Sequence, residues 1–231
     1  MPDTRPGLAR ATRRALTRTR SRGPREVTEL LTARLRENWS SRQRLFLYVR
    51  EAGPLERPGE GLYFRQAGPE DGSRYARDIG TDSAARFASR LSEDVMCFVV
   101  EDGGRLLHAS WVTTSAAWTR EIRGYLSPPP GDAYVYESFT RADARGRGIY
   151  PFALAGIVSH LGRSGVRRVW VGVEESNAPS TRAIEKAGFV RSFELAYARN
   201  KGRFRMDVTS LDDSTNAYEF LRLQKDSTTG Y

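Results

Sequence analysis

The hydrophobic positions of this chain follow two periodicities, one typical of helices and one typical of strands. In "ARGRGIYPFALAGIVSHLG" apolar residues recur every three or four positions from Ile149 to Leu161, which predicts an amphipathic helix. Branched and aromatic residues dominate "YVYESFT" before it and "VRRVWVGV" after it, which predicts a strand on either side. A strand, a helix and a second strand in this order indicate one parallel crossover.

Tight turns elsewhere along the chain indicate antiparallel pairing. "DVMCFVVEDGGRLLHASWVTT" reads as two strands around "EDGG", and "FVRSFELAYARNKGRFRMDVTS" as two strands around "NKG". "LYFRQA" is a further short strand, and "GPEDGSRYARDIG", "SAARFASRL" and "NAPSTRAIEKAG" are short helices. The pattern therefore predicts a mixed sheet in one α/β or α+β domain.

Charge divides the chain into three predicted parts. Residues 1–25 hold eight arginines against a single acid, Asp3, and so carry most of the net charge of +9. Residues 26–60 are predicted to form an N-terminal helix–strand extension, "REVTELLTARLREN" and "RLFLYVREA", before a domain at 61–231. A basic, apolar-poor segment such as 1–25 is typically disordered. It is either a solvated tail or a segment that binds RNA, DNA or an anionic lipid surface.

Composition excludes several classes of protein. No apolar run approaches the roughly 20 residues of a membrane helix, and the basic N-terminus lacks the apolar core of a secretory signal. Cys97 is the single cysteine, which rules out an intrachain disulfide and predicts a cytoplasmic protein; within "VMCFVV" it is expected to be a small buried hydrophobe. Only His108 and His160 are histidines, so no metal site is expected.

The turn before the long helix is both glycine-rich and basic. "RGRG", Arg145 to Gly148, joins a strand to a helix start, where unpaired backbone N–H groups favour anions. Glycines let a phosphate approach the backbone, and the arginines add formal charge. The turn is neither the G-x-G-x-x-G fingerprint nor a P-loop. It is either a pyrophosphate cradle or a basic surface turn.

Two motifs in this order resemble the GNAT superfamily of acyl-CoA-dependent N-acyltransferases over about residues 61–210. The pyrophosphate motif Q/R-x-x-G-x-G/A matches Arg145 to Tyr150, and a second signature matches Asn177, Ser180 and "KAGF". The resemblance implies a mixed, mostly antiparallel sheet with splayed central strands, flanked by helices. It also implies acetyl transfer from acetyl-CoA to an amine that attacks the thioester directly.

The resemblance further implies a set of cofactor-binding residues. Backbone groups of one strand would contact the pantetheine arm, the amides of the glycine turn would hold the pyrophosphate, and the second motif would line the channel near the thioester. These positions are, in turn, Ser138, Phe139 and Thr140; Arg145, Gly146, Arg147, Gly148, Ile149 and Tyr150; and Asn177 and Ser180.

Two positions depart from the family pattern. Tyr150 stands where the family prefers glycine or alanine, so the helix start must accommodate a ring near the phosphates. Ile184 stands where a tyrosine often serves as general acid. Glu137, on the strand that leads into the turn, is the candidate general base; the alternative is a structural partner for an arginine.

The acceptor is not identified by these residues. A small metabolite, an amino sugar, an antibiotic, a protein N-terminus or a lysine would all supply a primary amine. The alternative function is a non-catalytic acyl-CoA-binding module, associated with RNA through the basic tail. The sequence predicts no particular oligomeric state.

Overall fold

The computed structural model describes residues 40–54, 61–119, 122, 124–200 and 203–211. The chain divides into two compact units, one of residues 1–42 and 198–205 and one of residues 43–197 and 206–231. The described part of the first consists of strand ends only, and the account below concerns the second. The basic segment 1–25 and the helix predicted at "REVTELLTARLREN" lie outside the described residues.

The predicted strands and helices are found close to the expected positions. The strands are β1 (Ser40–Glu51), β2 (Tyr63–Ala67), β3 (Val95–Asp102), β4 (Arg105–Thr113), β5 (Ala117–Thr119), β6 (Gly124–Leu126), β7 (Ala133–Thr140), β8 (Arg168–Glu174), β9 (Val190–Asn200) and β10 (Arg203–Ser210). The helices are α1 (Gly72–Asp78), α2 (Ala84–Arg90), α3 (Ile149–Arg163) and α4 (Ala178–Lys186).

One eight-stranded sheet carries the described fold, in the order β10-β9-β1-β8-β7-β4-β3-β2. β7 and β8 are parallel, as the predicted crossover requires, whereas β2–β3, β3–β4, β4–β7 and β1–β8 are antiparallel. The mixed, mostly antiparallel sheet of the sequence analysis is confirmed. A separate two-stranded hairpin, β5–β6, was not predicted.

The two parallel strands separate soon after they meet. They pair only from Ala133 opposite Val169 to Val135 opposite Val171. Beyond that point β7 continues to Thr140 against β4, while β8 continues to Glu174 against β1. The sheet therefore splits along its length between β7 and β8, which is the splay that the resemblance implied.

Strand β1, assigned from the sequence to an extension before the domain, is an interior strand of the sheet. It lies between β8 and β9, and Leu45 to Glu51 pair with β8. Leu47 packs in the core on one face and Tyr48 in the core on the other, as expected for a strand covered on both sides. Tyr48 also donates a hydrogen bond to Glu185 of α4 (3.1 Å). The boundary at residue 60 stays a prediction, but it does not separate β1 from the sheet.

Helix α3 packs its apolar face on the sheet, with Leu154, Ile157 and Leu161 in the main core. Gly156 makes this approach possible, because a Cβ there would lie 2.6 Å from the ring of Phe64. Cys97 is fully buried and free, and burial raises the pKa of its thiol, as expected for a packing residue. Within the described ranges, no helix is long and apolar enough to cross a membrane.

Candidate functional site

A cavity of about 650 Å³ opens where β7 leaves β8, and residues of β7, α3 and α4 line it. Its volume is in the range of small-molecule sites. All of the predicted cofactor residues except Arg147 line it; they are Ser138, Phe139, Thr140, Arg145, Gly146, Gly148, Ile149, Tyr150, Asn177 and Ser180. The structure therefore brings three separate sequence segments to one place.

The glycine turn presents backbone to this cavity. Gly146 and Gly148 have φ values of 80° and 74°, in the left-handed region that favours glycine. A Cβ at either position would meet nothing within 4 Å, so open space faces the backbone. The first amide bonded within α3 is that of Phe152, to the Gly148 carbonyl (3.1 Å). N–H groups in the first turn of a helix have no partner within the helix and favour anions.

Cationic side chains surround the same opening. Arg145, Arg182 and Lys186 line the cavity, and Arg145 Nε donates to the Thr140 carbonyl (3.2 Å). Arg147 is the exception, because its guanidinium pairs with Asp102 on β3 (3.0 Å) and does not line the cavity. Two of these cations, Arg182 and Lys186, were not singled out as ligands in the sequence analysis.

The start of α4 forms the opposite wall. Asn177 is the N-cap of this helix, and its side-chain oxygen accepts a hydrogen bond from the Ser180 amide (3.3 Å). Such a cap satisfies one of the free donors of the first turn and fixes the helix start. Ile184, at the position of the family's tyrosine, is fully buried in the main core and is not part of the lining. The tyrosine of the family motif has no counterpart there.

Tyr150 packs its ring against β4. The ring stacks on the imidazole of His108, with centroids 5.3 Å apart, while still lining the cavity. Burial raises the pKa of the Tyr150 hydroxyl to about 12, and a hydrogen bond with Ser138 opposes part of that rise. The phenol is therefore protonated at neutral pH.

A chain of hydrogen bonds connects Tyr150 to the end of β7. The Thr140 hydroxyl lies 2.7 Å from His108 Nδ1, His108 Nε2 lies 2.7 Å from the Ser110 hydroxyl, and that hydroxyl lies 2.7 Å from the hydroxyl of Ser138. Burial lowers the pKa of His108 to about 3, so the imidazole is neutral. The sequence analysis gave His108 and Ser110 no role, because only the β4–β7 pairing brings them to Ser138.

Glu137 occupies an irregular point on β7. The β4–β7 register shifts between Ala109 and Trp111, and Glu137 has φ +48°, alone among non-glycine residues of the described ranges. Backbone in this region is strained for a side-chain-bearing residue and often occurs at functional sites. The Glu137 side chain is 56% exposed and does not line the cavity.

The Glu137 carboxylate pairs with Arg90 of α2 at 2.7 Å. Arg90 also pairs with Asp82 (2.6 Å), and its guanidinium lies 3.8 Å over the ring of Trp111. Burial by itself would lower the pKa of Arg90, but hydrogen bonds with Tyr136 and Glu137 raise it. The structural partner named as the alternative for Glu137 is therefore present. Among the described residues, no group of acidic, histidine or cysteine side chains is placed to hold a metal ion.

The fold and this cavity define a class of acyl-transfer protein, and comparison with known families gives the same result. The model of the Acetyltransferase (GNAT) family matches residues 62–189, more than half of the chain. The chain belongs to this family. The match begins after β1 and ends one residue before β9.

Individual relatives match this chain at low sequence identity and over only part of their length. A mycothiol acetyltransferase from Geodermatophilus obscurus is 30% identical over 129 residues, which cover 53% of this chain and 36% of that protein. The chain thus spans little more than a third of the length of this curated relative. A GCN5-related N-acetyltransferase from Sphaerobacter thermophilus has a TM-score of 0.52 at 17% identity, over 82% of this chain and 59% of that one. A conserved protein of unknown function from Staphylococcus epidermidis has a TM-score of 0.50 at 13% identity, over 75% and 67%. Each of these two structures resembles this chain in fold.

Proposed function

We propose that this protein is an N-acetyltransferase that moves an acetyl group from acetyl-CoA to a primary amine. The observation that supports the proposal is the cavity at the split between β7 and β8. The glycine turn, the end of β7 and the cap of α4 all line this cavity. Membership of the acetyltransferase family supports acetyl as the group transferred.

The residues present fit the charge and shape of acyl-CoA. Its pyrophosphate needs donors and positive charge, which the start of α3 and Arg145 supply. Its pantetheine arm needs a narrow channel with backbone partners. The segment Ser138 to Thr140 lines the cavity beyond the point where β7 and β8 are paired, so the backbone on the β8 side of this segment is not paired with β8. Bound acetyl-CoA would contribute an activated thioester, and the protein would contribute its orientation.

In this proposal Glu137 accepts the proton that the amine loses. It precedes Ser138 of the cavity lining by one residue, and its half-exposed carboxylate lies at the register shift between β4 and β7, where an acceptor in solvent could reach it. The ion pair with Arg90 fixes the side chain in one position. A neutral amine then attacks the thioester directly, and positioning supplies much of the rate.

The experiment that tests the proposal is a release assay with a panel of acceptors. Purified protein is incubated with acetyl-CoA and an amino sugar, an aminoglycoside, a polyamine or a peptide with a free N-terminus, and free CoA thiol is measured. Amine-dependent release is the expected result. Binding of acetyl-CoA by calorimetry with no release across the panel would favour the non-catalytic binding module. Failure to bind acetyl-CoA at all would contradict both functions.

A further inference from the structure

The chain of polar side chains that runs along the cavity wall is unusual for the interior of a sheet. His108 and Ser110 are both fully buried, and burying polar groups is unfavourable unless every one of them is hydrogen-bonded. An apolar pair at these positions of β4 would fill the same space without that cost. The polar chain therefore requires an explanation beyond packing.

The chain is continuous and has two ends. One end is Thr140, partly exposed at the last position of β7, and the other is Tyr150, which lines the cavity beside Ser138. The three distances between Thr140, His108, Ser110 and Ser138 are each 2.7 Å. Ser138 and Tyr150 line the same cavity, and a hydrogen bond with Ser138 acts to lower the pKa of the Tyr150 hydroxyl. Each member carries both a hydrogen to donate and a lone pair to accept.

One orientation satisfies every member of the chain. Thr140 donates to Nδ1 of His108, Nε2–H of the same ring donates to Ser110, Ser110 donates to Ser138, and Ser138 donates to the Tyr150 oxygen. The neutral imidazole required for this arrangement is the form that burial favours. The Tyr150 proton is then left for a group inside the cavity.

The position of this proton suits the leaving group of the reaction. Ser138 lies two residues before Thr140, about 7 Å further along the strand from the glycine turn. A pantetheine arm that starts at the turn and follows β7 must pass this point. A thiolate that departs in a narrow channel needs a proton donor, and Ile184 supplies none.

We infer that the Tyr150 hydroxyl, resupplied through Ser138, Ser110, His108 and Thr140, is the proton donor to the sulfur of departing CoA. This inference rests on the proposed function. As the C–N bond forms and the C–S bond breaks, Tyr150 gives its proton to sulfur and takes one from Ser138. Each member is refilled by the next, and Thr140 takes a proton from water. The amine loses its own proton to Glu137, which releases it to solvent, and that proton neutralises the hydroxide left by the water at Thr140.

The main test uses binding and does not need an acceptor. CoA is bound to the wild-type protein and to Tyr150→Phe, and the bound thiol is titrated by the ultraviolet absorbance of its thiolate, with the desulfo-CoA complex subtracted. A hydrogen bond from Tyr150 stabilises the thiolate, so the bound thiol should titrate about one pH unit lower in wild type than in Tyr150→Phe. The control variant Tyr125→Phe removes an exposed hydroxyl on β6, outside the cavity. The thiol of CoA bound to this variant should titrate at the same pH as in wild type.

The kinetic test uses the amine found in the acceptor panel. Tyr150→Phe should lower kcat by about 100-fold, the lower end of general-acid effects because a thiolate leaves readily, and should change KM for acetyl-CoA little. Ser110→Ala interrupts the chain but keeps the phenol, so it should lower kcat less while reducing the solvent isotope effect. This last change is one that a purely structural role of Ser110 would not produce.

The outcomes separate this inference from the proposed function. No CoA binding to wild type overturns both. CoA binding with the same thiol titration in wild type and Tyr150→Phe overturns the role of Tyr150 and leaves acetyl transfer standing. If Tyr150→Phe melts too low to assay, Ser138→Ala takes its place, because Ser138 is exposed to the cavity and its backbone is unchanged. A titration shift in that variant supports the inference, and its absence contradicts it.

Discussion

The two halves of the sheet, on either side of the split between β7 and β8, are built in different ways. In the first half, β2, β3, β4 and β7, the strands β2–β3 and β3–β4 are antiparallel neighbours in chain order. In the second half, β8, β1, β9 and β10, the interior strand comes from far away in sequence, and Leu45 of β1 pairs with Glu174 of β8. The first half depends mainly on local pairing, whereas the second joins the local β9–β10 pair to β8 through the distant strand β1.

The chemistry follows the same division. The first half, with the start of α3, holds the glycine turn, the polar chain and Glu137. The second half supports α4, since Tyr48 of β1 is hydrogen-bonded to Glu185 and Arg50 of β1 donates to the Ala187 carbonyl after the helix end. We therefore expect damage to the second half to cost folding, and damage to the first half to cost binding or rate.

The largest expected effect is the loss of β1. A chain that begins at residue 61 should fail to fold, because removing β1 exposes apolar side chains of β8 and β9. A chain that begins at residue 26 keeps β1 and should melt within a few degrees of the full chain. Circular dichroism and thermal melting measure both. A cooperative melt near the full-length Tm for the shorter chain would show that the second half closes without β1.

A point substitution gives a graded version of the same test. Leu47 of β1 is fully buried, and Leu47→Ala should lower the free energy of unfolding by about 2–5 kcal/mol. Urea denaturation measures it. A loss below about 1 kcal/mol would mean that this face of β1 contributes little.

Glu137→Gln should have the largest effect on rate. Removal of a general base typically costs about 10²–10⁴-fold, so kcat/KM for the amine should fall by that factor with acetyl-CoA affinity little changed. The ascending limb of the pH profile should move toward the pKa of the free amine, because only neutral acceptor would react. Rates over a pH series measure both changes.

Asp82→Asn is the matched control, because Asp82 pairs with the same Arg90. It should lower Tm without moving the pH profile. If Glu137→Gln behaves in the same way, with activity falling only as folded protein is lost, Glu137 is a structural partner and not the base.

Gly148→Val should weaken acetyl-CoA binding by about 100-fold. A valine at φ +74° is strained, and its branched side chain blocks the approach of a phosphate to the helix start. Gly165→Val is the control, since Gly165 has φ +83° and equally open surroundings but does not line the cavity. Both variants should lose similar stability, and only Gly148→Val should lose affinity in calorimetry. Equal affinity in the two variants would place the cradle elsewhere.

The smallest effect concerns stability in acid. Burial lowers the pKa of His108 from 6.5 to about 3. Between these pH values the imidazole is protonated in the unfolded chain and neutral in the folded chain. The free energy of unfolding is therefore unaffected by His108 above pH 6.5 and falls as the pH drops toward 3. The loss is about 2–3 kcal/mol between pH 6.5 and 4.5. His108→Gln should flatten this part of the stability curve relative to wild type in urea denaturation. Parallel curves for the two proteins would show that the imidazole charges without unfolding.

The sequence predicts the hairpins and the crossover helix better than it predicts the place of β1, for a physical reason. The "EDGG" hairpin and the helix after "RGRG" are encoded by short-range patterns, and both are where they were predicted. The partner of β1 is not encoded locally, since any strand apolar on both faces is compatible with several neighbours. Strands β5 and β6 are three residues each, too short to display a period.

The candidate site divides in the same way. The glycine turn and the cap at Asn177 are read from motifs whose members are adjacent in sequence. The ion pair of Arg90 with Glu137, and the contacts of β4 with Thr140 and Ser138 of β7, depend on which strands and helices become neighbours. A pattern within one segment carries no information about such partners.

The interior place of β1 also has a consequence for synthesis. β1 leaves the ribosome well before β8, its hydrogen-bonding partner, and at about 5–20 residues per second the intervening chain takes roughly 6–25 s to appear. During that interval a strand that is apolar on both faces has no native neighbour and resembles an aggregation-prone edge. We therefore expect β1 to be the segment most exposed to aggregation until Glu174 has been translated.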